Sequence, residues 1–172
     1  ANRGEIAYRA VRVCRDLGLQ SVSFHSQADR RQLHVLEADL SVCIGPAPSN
    51  KSYLLADTLL HVAIETGCDA VYPGYGFLSE NAAFAKSCER NGLKFIGPAA
   101  EVIGVMGDKA KAREIADCYD VPVVPGSDSA FDDAEVALAA AGAVGYPLLL
   151  KARSGGGGRG IRVVEDGIHC GG

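Results

Sequence analysis

The fold of the C-terminal region is decided by the stretch Lys151-Ala-Arg-Ser-Gly-Gly-Gly-Gly-Arg-Gly-Ile-Arg162. An apolar run, Tyr146-Pro-Leu-Leu-Leu150, precedes it, and a second apolar run begins at Ile161. These runs predict two strands joined by a loop that has five glycines in six positions, 155–160. Backbone N–H groups in such a loop can close over a polyphosphate, while the cations at its ends neutralise the charge.

The glycines also match the pattern G-x-G-x-x-G, which in dinucleotide-binding folds lies between a strand and a helix. Here a strand is expected on both sides, so we reject the dinucleotide interpretation. A P-loop is excluded as well, because no Gly-Lys-Ser/Thr follows the glycines. Two interpretations remain: a flap that closes on phosphates with the help of Lys151, and a plain glycine linker. The neighbouring cations favour the flap.

Predicted helices and strands alternate through the first hundred residues. The helices are expected at 5–17, 53–66 and 79–91, and the strands at 21–26, 41–45, 70–72 and 94–97. This alternation predicts an α/β fold with a doubly wound parallel sheet. Ser79 is the expected N-cap of the third helix. Because the chain starts in the loop that should follow a first strand, we expect that strand to be missing from this sequence.

The pattern changes after Pro98. Two helices are predicted at 99–106 and 109–119, followed by a proline-containing extended segment. A further helix is expected to start with Asp132 as part of a capping box and to end at Gly145. We therefore expect a domain boundary near residue 100, with the glycine-rich hairpin in the second part, 101–172.

Composition excludes several classes of function. The 172 residues carry a net charge of -4 with no basic stripe, so nucleic acid is not an expected partner. No apolar run approaches the roughly 18 residues that a membrane-spanning helix needs. The six cysteines form no CxxC pair and are expected to be free thiols in a reducing compartment. The four histidines have no ligand spacing, so we expect no metal-binding residues.

Three positions outside the glycine loop are candidates for binding. Lys109 lies in the first turn of a predicted helix, where a cation is favourable if an anion occupies the helix end. Tyr75 and Gly76 lie between a strand and a helix, where ligands bind in open α/β sheets. A solvated surface lysine and a packed aromatic turn are the alternative interpretations of these residues.

Five stretches together resemble the biotin carboxylase family. They are Ala1-Asn-Arg-Gly-Glu-Ile-Ala7, Ile44-Gly-Pro-Ala-Pro-Ser49, Pro73-Gly-Tyr-Gly-Phe-Leu-Ser-Glu-Asn81, Met106-Gly-Asp-Lys109 and Lys151–Val164. The resemblance implies an N-terminal Rossmann-like domain at 1–100 that lacks its first strand. Linker helices and an incomplete ATP-grasp lid subdomain then occupy 101–172. The tail after Glu165 departs from the family pattern, as does Tyr72, where histidine is frequent.

The resemblance also implies an activity. Family members use ATP and bicarbonate, with Mg²⁺ or Mn²⁺, to carboxylate biotin on a carrier protein through carboxyphosphate. The implied partners are the biotin carboxyl carrier protein or domain, a carboxyltransferase and a second copy of the chain. The implied location is the cytoplasm or an organelle matrix. No residue of this chain matches the family's catalytic residues, so we expect the 172 residues alone to be inactive.

Site residues follow from matching the motifs position by position. Tyr75 and Gly76 match a loop close to biotin, and Arg12 and Asp16 match a region used in dimers of the family. The residues that match the ATP-binding positions are Lys109, Lys151, Gly155, Gly156, Gly157, Gly158, Arg159 and Gly160.

Two other hypotheses are retained. One is a different ATP-grasp ligase, of the carbamoyl-phosphate or purine-biosynthesis type, which shares the glycine lid but not the run Pro73–Asn81. The other is a non-catalytic nucleotide-binding or assembly module.

Overall fold

The computed structural model describes residues 1–127, 131–151 and 160–166, with only the backbone described at 109 and 110. The chain divides into two compact units, Ala1–Gly104 and Val105–Gly172. Helix α5, Ala100–Gly107, runs across this division, and its Ala100 and Ile103 are buried in the core of the first unit.

Helices and strands alternate in the first unit, as the sequence predicts. The helices are α1 (Gly4–Asp16), α2 (Leu33–Leu36), α3 (Ala56–Glu65) and α4 (Ala82–Arg90). The strands are β1 (Val22–Ser26), β2 (Leu40–Gly45), β3 (Ala70–Val71) and β4 (Lys94–Phe95). Short 3₁₀ turns at Gln27–Asp29 and Ser49–Lys51 follow β1 and β2.

All strand pairs of this unit are parallel, which confirms the α/β prediction. Strand β1 pairs with β2 from Val22 opposite Leu40 onward, and the register shifts at Ser26. Strand β3 pairs with β4, with Val71 opposite Phe95. Within the described residues the four strands form these two pairs, and no hydrogen-bonded ladder joins one pair to the other.

The core of the first unit lies where α3 and α4 cover the strands. Phe84 of α4 is 1% exposed and meets Phe95 of β4 edge to face, with ring centroids 6.2 Å apart. Leu59 and Ala63, one helical turn apart on α3, are equally buried. The apolar faces of the two helices therefore pack against the parallel strands.

Two helix starts differ from the sequence-based expectation. Helix α3 begins at Ala56 and not at Tyr53, because residues 49–54 form a 3₁₀ turn and a further turn, and Leu55 has a ψ of 84°, outside the helical region. Helix α4 is capped by Asn81, whose side-chain oxygen accepts from the N–H of Phe84 at 2.9 Å. The prediction of Ser79 as the cap was wrong, because Ser79 lies in a turn in which its N–H bonds to the carbonyl of Gly76.

In the described part of the second unit, two helices and a hairpin follow α5. They are α6 (Lys109–Cys118), α7 (Ala134–Val144), β5 (Leu148–Lys151) and β6 (Ile161–Val164). Asp133, and not Asp132, caps α7, because its side chain accepts from the N–H groups of Glu135 and Val136. Gly145 ends α7 with a φ of 90°, as expected. Strands β5 and β6 pair antiparallel, so the predicted hairpin is confirmed.

The two candidate caps of α4 make a direct test. We expect Asn81→Ala to lower the free energy of unfolding by about 1 kcal/mol, because the N–H of Phe84 loses its acceptor. Ser79→Ala should stay within about 0.5 kcal/mol of the parent protein. Urea unfolding followed by circular dichroism measures both variants, and a larger loss in Ser79→Ala would restore Ser79 as the cap.

Candidate functional site

The loop between β3 and α4 has a constrained backbone. Gly74 and Gly76 both have φ of 69°, and Phe77 has φ of 45°. Glycine adopts such angles without cost, but a bulky residue with positive φ is strained and needs support from its surroundings. Three residues with left-handed backbone conformation within four positions therefore form a tight loop at the carboxyl end of β3.

Asn2 supports this loop from one side. Its side chain is buried, and its Nδ2 donates to the carbonyls of Pro73 and Tyr75, both at 2.8 Å. Its Oδ1 accepts from the N–H of Arg3 at 2.9 Å. The approach is so close that a Cβ on Gly74 would lie 2.3 Å from a methyl carbon of Ile6. Only glycine fits at this position.

An aromatic stack supports the loop from the other end. The rings of Tyr53 and Phe77 lie 5.2 Å apart and nearly parallel, at 16°. The guanidinium of Arg3 lies 5.6 Å from the centroid of each ring, within the range of a cation–π contact. The stack holds Phe77 in its strained conformation.

Asp29 anchors this stack. Its Oδ2 accepts from the hydroxyl of Tyr53 at 2.7 Å and from Ser26 Oγ at 2.8 Å. It also lies 3.6 Å from Arg3 Nη1. The tyrosine hydroxyl accepts in turn from the N–H of Ser26 at 2.9 Å. The acidic residue at the carboxyl end of β1 is thus bonded to protein groups, and this arrangement differs from a dinucleotide site, where such a residue binds ribose.

The hydrogen bonds of this cluster change the acidity of both partners. Burial alone raises the pKa of Asp29, but the hydrogen bonds from Tyr53 and Ser26 and the charge of Arg3 outweigh it, so the pKa is below its ordinary value. Burial, together with the bond to Asp29, raises the pKa of Tyr53 to about 12. At neutral pH the cluster is therefore a carboxylate that accepts from a neutral phenol.

A surface depression of about 420 Å³ lies between the start of α1 and the loop. Residues 2–6 and 75–77 line it, so it contains both candidate residues, Tyr75 and Gly76. The side chain of Tyr75 is 69% exposed, whereas its carbonyl is bonded to Asn2. The loop thus has a fixed backbone and presents an aromatic ring to solvent.

The glycine-rich hairpin carries the other group of candidates. Lys151 ends β5 opposite Ile161 and is exposed, while Leu148 and Leu150 lie on the more buried face of the strand. Gly160 precedes β6 with a φ of 73°. The remaining lid candidates, Gly155, Gly156, Gly157, Gly158 and Arg159, lie outside the described residues.

Lys109 is the first residue of α6. The preceding Asp108 accepts from the N–H of Lys111 at 3.3 Å, as a side chain at the start of a helix does. Lys109 and Lys151 belong to the same unit. Neither shares a unit with Tyr75, so the structure describes the two candidate regions separately.

Arg12 and Asp16 are exposed on α1, one helical turn apart. Val13 of the same helix and Leu17, the residue that follows the helix, are 47% and 68% exposed. This part of α1 therefore presents charged and apolar groups together.

Residues 1–127, 131–151 and 160–166 contain neither a metal-binding cluster nor a membrane-spanning helix. No cluster of three or more His, Cys, Asp or Glu there could hold a metal ion. His34 is completely buried in the first unit, and burial lowers its pKa. It is therefore a neutral core residue. No helix in the same ranges has both the length and the apolar character needed to cross a bilayer.

The sequence patterns did not indicate four residues of the loop support, namely Asn2, Arg3, Asp29 and Tyr53. For Asn2 and Arg3, the signal was that the stretches 1–7 and 73–81 occur together in one chain. Asn2 bonds to carbonyls 71 and 73 residues away, and Tyr53 bonds to Asp29 across 24 residues, so no local pattern could reveal these contacts.

Similarity to known proteins identifies the family. Residues 1–103, more than half of the chain, match the model of the biotin carboxylase N-terminal domain. The chain belongs to the biotin carboxylase family. Residues 108–169 match the ATP-binding domain of the carbamoyl-phosphate synthase L chain, which agrees with the predicted start of an ATP-grasp fold. The family predicted from the five motifs is thus confirmed.

Curated relatives cover almost the whole chain. Biotin carboxylase of Pseudomonas aeruginosa is 54% identical over 167 residues, which are 96% of this chain and 37% of that protein. Biotin carboxylase 1 of Bacillus subtilis is 50% identical, again over 96% and 37% of the two chains. The chain therefore spans little more than a third of the length of these relatives.

Solved structures of the family have the same fold. The biotin carboxylase domain dimer of Hydrogenobacter thermophilus 2-oxoglutarate carboxylase, in complex with MgADP, ADP and bicarbonate, superposes with a TM-score of 0.93 at 46% identity. A biotin carboxylase–β,γ-ATP complex from Campylobacter jejuni superposes with a TM-score of 0.92 at 47% identity. These matches cover 98% and 97% of this chain and 37% of each structure.

The Asp29–Tyr53 hydrogen bond predicts a pH effect. Because the pKa of Asp29 is lowered on folding, its stabilisation is complete above the unfolded-state pKa of about 3.9 and is lost as the pH falls through the folded-state value. We expect Tyr53→Phe to lower the free energy of unfolding by about 1–3 kcal/mol at pH 7, because Asp29 and Ser26 lose a hydrogen-bond partner. When the pH is lowered, the stability of this variant should fall by less than that of the parent protein.

The matched control is Tyr8→Phe, which removes a longer tyrosine–carboxylate hydrogen bond, 3.2 Å to Glu37. Tyr8→Phe should lower the free energy of unfolding by less than Tyr53→Phe does. The pH dependence of stability that comes from Asp29 should stay as in the parent protein. Denaturant unfolding between pH 7 and pH 3 measures both variants. Equal acid dependence in Tyr53→Phe and the parent protein would contradict the assignment.

Proposed function

We propose that the protein containing this chain is a biotin carboxylase, an ATP-dependent ligase that uses bicarbonate to carboxylate biotin. ATP and bicarbonate would form carboxyphosphate and ADP, and the carboxyl group would then pass to N1 of biotin on a carrier protein. One observation carries the proposal: in a chain of this family, the glycines at 155–160 join two antiparallel strands. The complex of the Hydrogenobacter relative with MgADP and bicarbonate supports it.

We propose a separate task for each part of the chain. Residues 1–100 would form the N-terminal domain, with Tyr75 and Gly76 close to biotin. Residues 101–172 would supply the linker helices and part of the ATP-grasp lid. The exposed ring of Tyr75 beside an open depression supports the first assignment, because an apolar ring face suits a bicyclic ligand.

Lys151 is the proposed phosphate contact for which the structure offers most support. It ends a paired strand at the entrance to the glycine loop, and it lies on the exposed face of that strand. Its ammonium group would approach the ATP phosphates while glycine N–H groups cover them. The other proposed contacts are Lys109, Gly155, Gly156, Gly157, Gly158, Arg159 and Gly160.

These residues would act by electrostatics. Backbone donors and cations held near a transferring phosphoryl group stabilise the charge that develops in the transition state. Mg²⁺ or Mn²⁺, when bound, would neutralise part of the phosphate charge. Among the described residues, no group of three or more His, Cys, Asp or Glu could hold such an ion.

We propose that the protein forms a homodimer in which Arg12 and Asp16 lie at the interface. The Hydrogenobacter relative is a dimer, and the exposed Val13 and Leu17 beside these charges support an interface on α1. Further proposed partners are the biotin carboxyl carrier protein or domain and a carboxyltransferase. The proposed location is the cytoplasm or an organelle matrix.

The carbamoyl-phosphate alternative has one observation in its favour, the similarity of residues 108–169 to the ATP-binding domain of that synthase. The match of residues 1–103 to the biotin carboxylase N-terminal domain favours biotin as the acceptor.

The acceptor is tested by measuring ATP cleavage in the complete gene product with bicarbonate. We expect free biotin to stimulate cleavage and to be carboxylated, and ammonia to have no effect. Stimulation by ammonia would support the carbamoyl-phosphate type of ligase. Thermal stabilisation by Mg-ATP without any cleavage would support a non-catalytic module.

The role of Lys151 is tested by Lys151→Gln. We expect the KM for ATP to rise about 10- to 100-fold, because a charge-assisted phosphate contact contributes about 1.5–3 kcal/mol. The control is Lys94→Gln, which changes an exposed lysine on β4 in the first unit. An unchanged KM for ATP in Lys151→Gln would remove this lysine from the site.

A further inference from the structure

We infer that Asn2 is a positioning residue that fixes the loop 73–77 and thereby sets the affinity for biotin. The inference rests on the proposed function, because it takes Tyr75 and Gly76 to lie close to biotin. It adds a residue of the first unit, whereas the residues proposed to contact the phosphates belong to the second. Its basis is the way in which one buried side chain holds two carbonyl groups of the loop.

Both the amide nitrogen and the amide oxygen of Asn2 make hydrogen bonds. The amide nitrogen has two hydrogens, and the carbonyls of Pro73 and Tyr75 take one each. The amide oxygen accepts from the N–H of Arg3 at the start of α1. Because Asn2 is only 3% exposed, water cannot replace these bonds if the side chain is changed.

The two bonds act on the part of the backbone that most needs support. They flank Gly74 and end one residue before Gly76, and both glycines have positive φ. Phe77, also with positive φ, is held from the other end by the rings and charge of Tyr53 and Arg3. Tyr75 lies between these supports, so the direction of its exposed ring depends on both.

The geometry distinguishes positioning from a general contribution to stability. Asn2 contacts the loop at Pro73 and Tyr75, and Tyr75 lines the same depression as Asn2. Loss of the tether should let the backbone around Gly74 and Gly76 relax from its left-handed conformation. Binding of a ligand beside Tyr75 should then weaken, whereas ATP binding by the second unit should not change.

The test compares Asn2→Asp, Asn2→Ala and a control in the complete gene product. Asn2→Asp keeps the size of the side chain and the acceptor for Arg3, but it loses both donors to the loop. The control, Asn91→Ala, removes an asparagine Nδ2 bond of the same length, 2.8 Å to the carbonyl of Ser87, at the other end of α4. Steady-state kinetics with free biotin and with ATP give separate KM values for each substrate.

In Asn2→Asp and Asn2→Ala we expect the KM for free biotin to rise about tenfold or more, because removed hydrogen bonds typically weaken binding by this amount. The KM for ATP should change less than about twofold. Asn91→Ala should change neither value. An unchanged KM for biotin in a folded Asn2→Asp variant would overturn the inference. Equal changes in both KM values would also overturn it, because they would indicate a purely structural role.

Gly74→Ala provides an independent approach if the Asn2 variants do not fold. Its new methyl group would meet Ile6 at 2.3 Å and Asn2 Nδ2 at 3.1 Å and would displace the loop. Gly92→Ala is the matched control, because Gly92 has a similar φ of 75° but open space around its Cβ position. The KM for biotin should rise in Gly74→Ala and stay constant in Gly92→Ala, and equal values in the two variants would contradict the inference.

Hydrogen exchange separates failure of this inference from failure of the proposed function. If biotin does not stimulate the parent protein, the proposed function is wrong and the link from Asn2 to biotin is overturned with it. The tether itself would still be measurable as faster amide exchange at 74–78 in Asn2→Asp than in Asn91→Ala. Equal exchange in these two variants would show that Asn2 does not hold the loop.

Discussion

The first unit depends on the hydroxyl group of Tyr53, which connects segments that are distant in sequence. It donates to Asp29 and accepts from the backbone of Ser26, while the ring of Tyr53 supports Phe77. Because the residue is completely buried, the protein must provide the partners that water would otherwise supply. The end of β1, the segment before α3 and the loop after β3 are therefore fixed relative to one another.

The two candidate binding elements of this chain are built on different physical principles. The loop 73–77 combines left-handed backbone with side-chain supports on both sides, so its shape is determined before any ligand binds. The glycines at 155–158 have no side chains with which to make such supports. A fixed loop suits recognition of a rigid organic ring, and a glycine-rich loop suits closure over phosphates.

Much of the fold followed from patterns within short stretches. The hairpin was predicted because apolar runs border the glycines, and the alternation of elements indicated parallel strands. Errors occurred where two neighbouring residues were equally suitable, as with Ser79 and Asn81, or Asp132 and Asp133. The start of α3 was misplaced because residues 49–54 form turns that the helical pattern around Tyr53 does not reveal.

By itself, the sequence determined the family, the α/β class, the hairpin and the candidate residues Tyr75, Gly76 and Lys151, because each depends on the order of nearby residues. Only the tertiary structure decided that Asn2 holds the carbonyls of Pro73 and Tyr75, about seventy residues away. Such a contact forms only after helices and strands have packed. Its hydrogen-bond acceptors are backbone carbonyls, which every residue has, so no residue type in the loop could indicate the partner.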